Sequence, residues 1–185
     1  MIDFVPFPKI SRLNRECVAS EKIDGTNGCI HFVTADGVML VGSRTRWITP
    51  ENDNFGFARW AYDNAEELRK LGPGTHFGEW WGSGIQRGYG LQKGEKRFSL
   101  FNLHKWADPA VRPACCSVVP ELARGRDIRA VTEAALSILR LKGSIAAPGF
   151  TKPEGVVVFH TAGSHLFKVT LEKDEEPKTI GRAAE

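Results

Sequence analysis

Two rhythms of apolar positions run along the chain. A period of two marks strands, and a period near 3.6 marks helices. The first covers Cys17-Val18-Ala19-Ser20-Glu21-Lys22, Cys29 to Thr34 and Val38 to Val41. Ala35-Asp36-Gly37 parts the last two runs, and an Asp-Gly turn between β-rich segments predicts a hairpin. Thr75 to Gly82 and Phe98 to Leu103 continue the strand pattern, and Ser117 to Pro120 reads as a short edge strand. Glu154 to His160 and Leu166 to Leu171 form a last pair. The second rhythm predicts a helix within Pro50 to Leu71, capped by Asp53 or Asn54 and stopped by Gly72-Pro73-Gly74. Another runs from the cap Asp127 to about Lys142, with Ile128, Val131, Ala135, Ile138, Leu139 and Leu141 on its apolar side. Gly143 ends it.

No internal repeat or linker interrupts this order. It predicts one domain over residues 1–172 and a charged, flexible tail over 173–185. At 185 residues the chain is long enough for a proper core. Its 42% hydrophobic and 25% charged content is that of a soluble globular protein. A net charge of +3 permits a polyanionic partner without requiring one. Cys17, Cys29, Cys115 and Cys116 make no C-x-x-C pair, so reduced thiols and a cytoplasmic location are expected. Neither a signal peptide nor a run of about 18 apolar residues is present, so no membrane association is expected.

Candidate chemistry begins at Glu21-Lys22-Ile23-Asp24-Gly25-Thr26-Asn27. A lysine is a nucleophile only without its proton, so Lys22 needs an environment that removes it. On a continuous strand, Lys22 and Asp24 share one face. Asp24 alone favours the ammonium, so other cations must oppose it. Arg44 and Arg46, in Ser43-Arg44-Thr45-Arg46, are either part of a solvated loop or a cation pair suited to grip phosphate or ribose. Glu79 lies in an apolar, glycine-flanked strand and Lys168 in another apolar run, where each needs a partner. Glu154 opens a strand. Phe101 is either core or a ring able to stack on a purine. The glycine-rich stretch Ser83 to Gly94 lacks the order of a P-loop and is either a loop near a ligand or a plain connection. His104 has no metal partner at a recognisable spacing and carries no role.

Taken in order, Lys22, Asp24, Arg44, Glu79, Phe101, Glu154 and Lys168 resemble the ordered motifs of the covalent nucleotidyltransferases, the polynucleotide ligases and messenger-RNA capping enzymes. Within them, Asp24-Gly25-Thr26-Asn27, Phe77-Gly78-Glu79-Trp80-Trp81-Gly82 and Ile85-Gln86-Arg87-Gly88-Tyr89 look most like ATP-dependent RNA ligases that seal nicks. The resemblance spans Cys17 to Leu171. It implies an α+β adenylyltransferase (ATP-grasp-like) fold, with antiparallel sheets flanked by helices and a nucleotide cleft. It also implies lysyl-AMP formation on Lys22 from ATP, transfer of AMP to an RNA 5′-phosphate, and sealing to a 3′-hydroxyl. In that scheme Glu21 reads adenine, Asn27 senses phosphate or a strand end, Arg44 contacts ribose or phosphate, Glu79 binds ribose and Phe101 stacks on adenine. Glu154 and Asp24 hold Mg2+ or Mn2+, and Lys168 neutralises the α-phosphate.

Two departures accompany the likeness. The second lysine of the fifth motif is Thr170 here, so that charge is missing or comes from Lys152 or Lys173. Little chain follows that motif, so grip on the RNA, a nicked duplex or broken RNA ends, is expected from this domain or a protein partner. The other readings are a minimal DNA ligase, a capping guanylyltransferase, an NAD-dependent ligase and a non-catalytic RNA-binding relic.

Overall fold

The computed structural model describes residues 3–34, 37–172 and 174. The expected flexible tail falls almost wholly outside the described residues, as do Ala35 and Asp36 of the hairpin turn and Lys173. The expected α+β class is what the chain adopts. Among the described residues, ten strands make two sheets, and four α-helices and one short 3-10 helix pack outside them.

The larger sheet holds β2 (Thr26–Phe32), β3 (Met39–Gly42), β4 (Trp47–Ile48), β5 (Gly74–Gly82), β6 (Lys96–Leu100) and β7 (Ser117–Val118). Its order is β4-β3-β2-β5-β6-β7, antiparallel except where β6 meets β7. The smaller sheet holds β1 (Cys17–Lys22), β8 (Glu121–Gly125), β9 (Gly155–His160) and β10 (His165–Thr170), in the order β10-β9-β1-β8. The chain crosses between the sheets twice, at residues 23–25 and 119–120. The end of β1 is tied to the second crossing: Glu21 N–H donates to the Pro120 carbonyl at 2.9 Å.

Helices cover one face of each sheet. Helices α1 (Phe57–Asp63) and α2 (Ala65–Leu68) pack Phe57, Ala61 and Leu68 against Ile30, Val41, Trp80, Phe98 and Leu100. Burying each large side chain contributes about 1.5–3 kcal/mol. The short helix α3 (Leu103–Trp106) adds Trp106 to that core. Helix α4 (Ile128–Lys142) covers the small sheet through Val131, Ala135, Leu136 and Leu139, which meet Cys17, Ala19, Val156 and Val158. A third cluster, Ile23, Trp81, Tyr89, Val119 and Ala147, fills the junction where the chain crosses.

Several sequence expectations are corrected. The helix expected across Pro50 to Leu71 starts only at Phe57 and breaks at Asn64. Phe55 and Gly56 adopt positive φ (54° and 81°), so no helix can run through them. Asp53 nevertheless caps its start, accepting from the Ala58 and Arg59 amides at 2.7 and 3.1 Å. The strand expected to Leu103 stops at Leu100, because Asn102 caps α3 through Lys105 N–H at 3.1 Å. Strand β8 was not expected; its charged Glu121 and Arg124 pair with each other on the surface and mask the pattern. On α4, Leu141 is exposed and Leu136 takes the inward place. Lys168 is exposed on the edge strand β10, so its charge needs no buried partner. Trp80 and Trp81 are both core residues, on opposite faces of β5. Among the described residues no helix is long and apolar enough to cross a membrane, and all four cysteines are free thiols.

Candidate active site

Strand alternation sends successive side chains of β1 to opposite faces. Cys17 and Ala19 face α4, so Lys22 faces away from it, towards the junction. Gly155, next to Glu154, pairs with Lys22, and this register brings Lys22 Nζ within 2.5 Å of Glu154 Oε2. Glu154 is nearly buried, with a side-chain exposure of 7% against 21% for Lys22.

Because β1 ends at Lys22, the expected shared face with Asp24 does not arise. Asp24 lies in the crossing, and Arg87 Nε holds its Oδ2 at 3.1 Å. Arg87 Nη1 also donates to the Lys152 carbonyl at 3.0 Å, and Asp24 N–H donates to the Tyr89 hydroxyl at 2.8 Å. Burial pushes the Tyr89 phenol well above its ordinary range, so it stays protonated. The stretch Ser83 to Gly94 is thus a packed loop that clamps the crossing. Arg87 is the cation that balances Asp24. Its only sequence signal was membership of Ile85-Gln86-Arg87-Gly88-Tyr89, which assigned it no role.

The next residue explains the tightness. A Cβ at Gly25 would lie 2.4 Å from the Trp80 carbonyl oxygen and 2.8 Å from Trp81 Cβ, so only glycine fits. Gly25 N–H then reaches Glu79 Oε1 at 3.0 Å, and Asn27 Nδ2 reaches Glu79 Oε2 at 3.1 Å. Burial raises the Glu79 carboxyl to about 7, against the Gly25 hydrogen bond and the Lys22 charge, with Glu154 and Asp24 adding to the rise.

Glu21 departs from its expected role. The alternation that turns Lys22 into the site turns Glu21 away from it. Its carboxylate accepts from Ser144 Oγ at 2.6 Å and from the Ile145 and Ala146 amides at 2.8 and 2.9 Å. At 1% exposure, this side chain anchors the loop after α4. Hydrogen bonds to a charged group contribute about 1.5–3 kcal/mol each, and orphaning a buried set costs more than one. Glu21→Ala is therefore expected to lower unfolding free energy by about 3 kcal/mol in urea melts. A loss below about 1 kcal/mol would remove the anchor role.

Lys22, Asp24, Asn27, Glu79 and Glu154 thus meet at one junction. Arg44, Phe101 and Lys168 are exposed and stand apart from these contacts. Arg44 occupies the turn between β3 and β4. Lys168, opposite Val157 on β9, lies on the same face of the small sheet as Lys22. Thr170 pairs with Gly155 in the row of Lys22, and its hydroxyl donates to the Glu172 carbonyl at 2.9 Å. No group of three or more His, Cys, Asp or Glu is poised to hold a metal among the described residues. Glu154 and Asp24 remain the candidate oxygen donors. A concavity of about 440 Å³ beside Met39, Tyr62 and Ala65 lies on the helix side of the larger sheet and contains none of these residues.

The geometry holds an amine against a nearly buried carboxylate, beside a crossing where only glycine fits. Known proteins share the arrangement of chain that builds it. The RNA ligase family model matches residues 15–170. A mutant Naegleria gruberi RNA ligase solved with ATP and Mn superposes with a TM-score of 0.59 at 21% identity, over 85% of this chain and 49% of that one. The same organism's RNA ligase with PPi gives 0.55 at 20% identity, over 85% and 50%. The likeness shows a common fold, and this chain spans about half the length of those structures. No curated protein matches it. With the family match covering every strand of both sheets, the chain belongs to the RNA ligase family.

Proposed function

We propose that this chain is an ATP-dependent RNA ligase working through a lysyl-AMP intermediate. The observation that carries the proposal is Lys22 at the end of β1, paired with Glu154 and one turn from Asp24 and Glu79. Lys22 Nζ, having lost its proton, attacks the α-phosphorus of ATP. A P–N bond forms, the α–β phosphoanhydride bond breaks and pyrophosphate leaves. An RNA 5′-phosphate oxygen then takes the adenylyl group and frees Lys22. A 3′-hydroxyl finally attacks the phosphorus of that RNA 5′-phosphate, losing its proton; the phosphodiester bond forms, the phosphoanhydride bond to the adenylyl group breaks and AMP departs.

The Lys22–Glu154 pair must open for the first step, since an ammonium has no lone pair. Glu154 and Asp24 supply hard oxygens suited to Mg2+ or Mn2+. Such ions take one or two carboxylates together with phosphate oxygens and water, so a site completed by the nucleotide suits this donor set. A bound cation there would polarise the phosphate and offset its charge. Arg87, paired with Asp24, and the exposed Lys168 and Arg44 would supply positive charge towards the phosphates, Lys168 lying two residues from Thr170 on the same face of β10. Phe101 would stack on the adenine, Glu79 would accept from the ribose, and Asn27 would keep Glu79 in place. The RNA is proposed to be a nicked duplex or broken RNA ends, with a protein partner adding grip.

Labelled ATP with Mn2+ tests this reading by giving a covalent adduct on denaturing gels. Glu154→Ala is expected to reduce its rate at least about hundredfold, the scale set by losing one charge-stabilising group. Near-normal labelling across a metal titration would remove Glu154 from that role. Matched nicked duplexes differing only in the sugar on the 3′-hydroxyl side separate RNA from DNA sealing.

A further inference from the structure

The larger sheet buries one face under α1 and α2 and leaves the other without a helix. On the open face, one cross-strand row runs Phe101, Phe77, Cys29, Gly42 and Trp47. Phe77 pairs with Cys29, Cys29 with Gly42 and Gly42 with Trp47. Phe101 joins the row through its N–H, which donates to the Phe77 carbonyl at 3.0 Å. Three of the five positions carry large rings, and all three are exposed: Phe77 58%, Trp47 54% and Phe101 41%. The two positions between are small. A Cβ at Gly42 would stand 3.1 Å from Trp47 Cε3 and 2.6 Å from Cys29 Sγ, so the indole lies down over the glycine. The row sits one step from Glu79 and Asn27 on the same face, since Asn27 pairs with Glu79 as Cys29 pairs with Phe77. With strands about 4.8 Å apart, it spans roughly 19 Å.

Polar and cationic groups border the rings. His31 lies against Trp47, with ring centroids 6.0 Å apart, and bonds Thr75 Oγ1 at 2.7 Å. Arg44 and Arg46 stand exposed on the turn that delivers Trp47. Exposed rings on an open sheet with arginines at the margin suit bases that stack and phosphates that need neutralising.

We infer that Phe77 and Trp47 form a stacking platform for unpaired nucleotides of the RNA, beyond the Phe101 ring expected to take adenine. The inference rests on the ligase reading for the identity of the strand, but its binding test does not need catalysis. A labelled short single-stranded oligoribonucleotide of mixed sequence is titrated and its anisotropy followed. Phe77→Leu and Trp47→Leu keep apolar bulk and lose the ring, so each is expected to weaken binding roughly tenfold, within the range for loss of one stacked base. Phe77→Tyr keeps the ring and is expected to bind within about twofold of wild type. A blunt RNA duplex of equal length is expected to bind more weakly than the single strand. Thermal melts establish that each variant is folded, and both rings are more than half exposed, so truncation removes little core.

Unchanged affinity in both leucine variants overturns the platform. So does tighter binding of the duplex. If the leucine variants alter oligomeric state while RNA affinity stays constant, the face belongs to a protein contact and the inference falls. Wild-type labelling with ATP is run in parallel. Its absence would sink the ligase reading, while the anisotropy series would still decide the platform.

Discussion

Lys22→Ala is expected to remain folded and to take up no AMP from ATP. The side chain is on the cleft side of β1, outside the three apolar clusters, so its removal leaves the cores intact. It does strip Glu154 of its cation, and breaking a buried ion pair can cost about 3–5 kcal/mol. Lys22 is one-fifth exposed, so the loss here should fall towards the lower end of that range. Lys22→Arg separates the two effects. Arginine keeps a charge beside Glu154 but does not give up its proton, so it should restore much of the stability and none of the labelling. The measurement is intact-mass spectrometry after ATP and Mn2+, with peptide mapping of the adduct. A labelled Lys22→Ala protein, or AMP mapped to another lysine, would refute the assignment.

Glu79→Gln is expected to move stability and activity in opposite directions. The folded protein holds the Glu79 carboxyl near 7, above the ordinary 4.5. Between these values the folded state keeps a proton that the unfolded chain releases. Wild-type stability should therefore fall as pH rises from about 4.5 to about 7, and the cost is fully present above that window. A shift of this size corresponds to about 3 kcal/mol. Glutamine carries no charge, so its pH curve should lack this fall. The variant should match wild type near pH 4 and exceed it by up to about 3 kcal/mol near pH 8. Its amide oxygen can still accept from Gly25 N–H. If Glu79 accepts from ribose, the variant should form the ATP adduct at least about tenfold more slowly, since one hydrogen bond to a charged group is lost. Urea melts at several pH values and labelling rates provide both readings. Parallel pH curves for wild type and variant would falsify the buried-carboxyl account.

Much of this arrangement was legible before the fold was known, for a physical reason. The candidate site residues stood on or beside strands whose alternation is visible, and glycines marked the turns. Lys22, Glu79 and Glu154 could be singled out because charged groups in apolar strands are conspicuous. What could not be read were contacts set by register and by distant loops. Nothing local joins Arg87 to Asp24, 63 positions apart, or Glu21 to the loop 123 positions on. Glu21 was assigned by its place beside Lys22, and alternation turned it to the other face. Lys168 raised suspicion because its neighbours are apolar, yet an edge strand leaves that charge in water. The row from Phe101 to Trp47 was invisible because its members come from separate parts of the chain.

The two crossings at residues 23–25 and 119–120 have a mechanical consequence. In the smaller sheet both open at the same end, where Lys22 closes β1 and Glu121 starts β8, and Glu21 N–H holds the Pro120 carbonyl there. Lys22 thus sits where chain and hydrogen bond tie the two sheets together. A shift of one sheet against the other is expected to move Lys22 less than the outer strands.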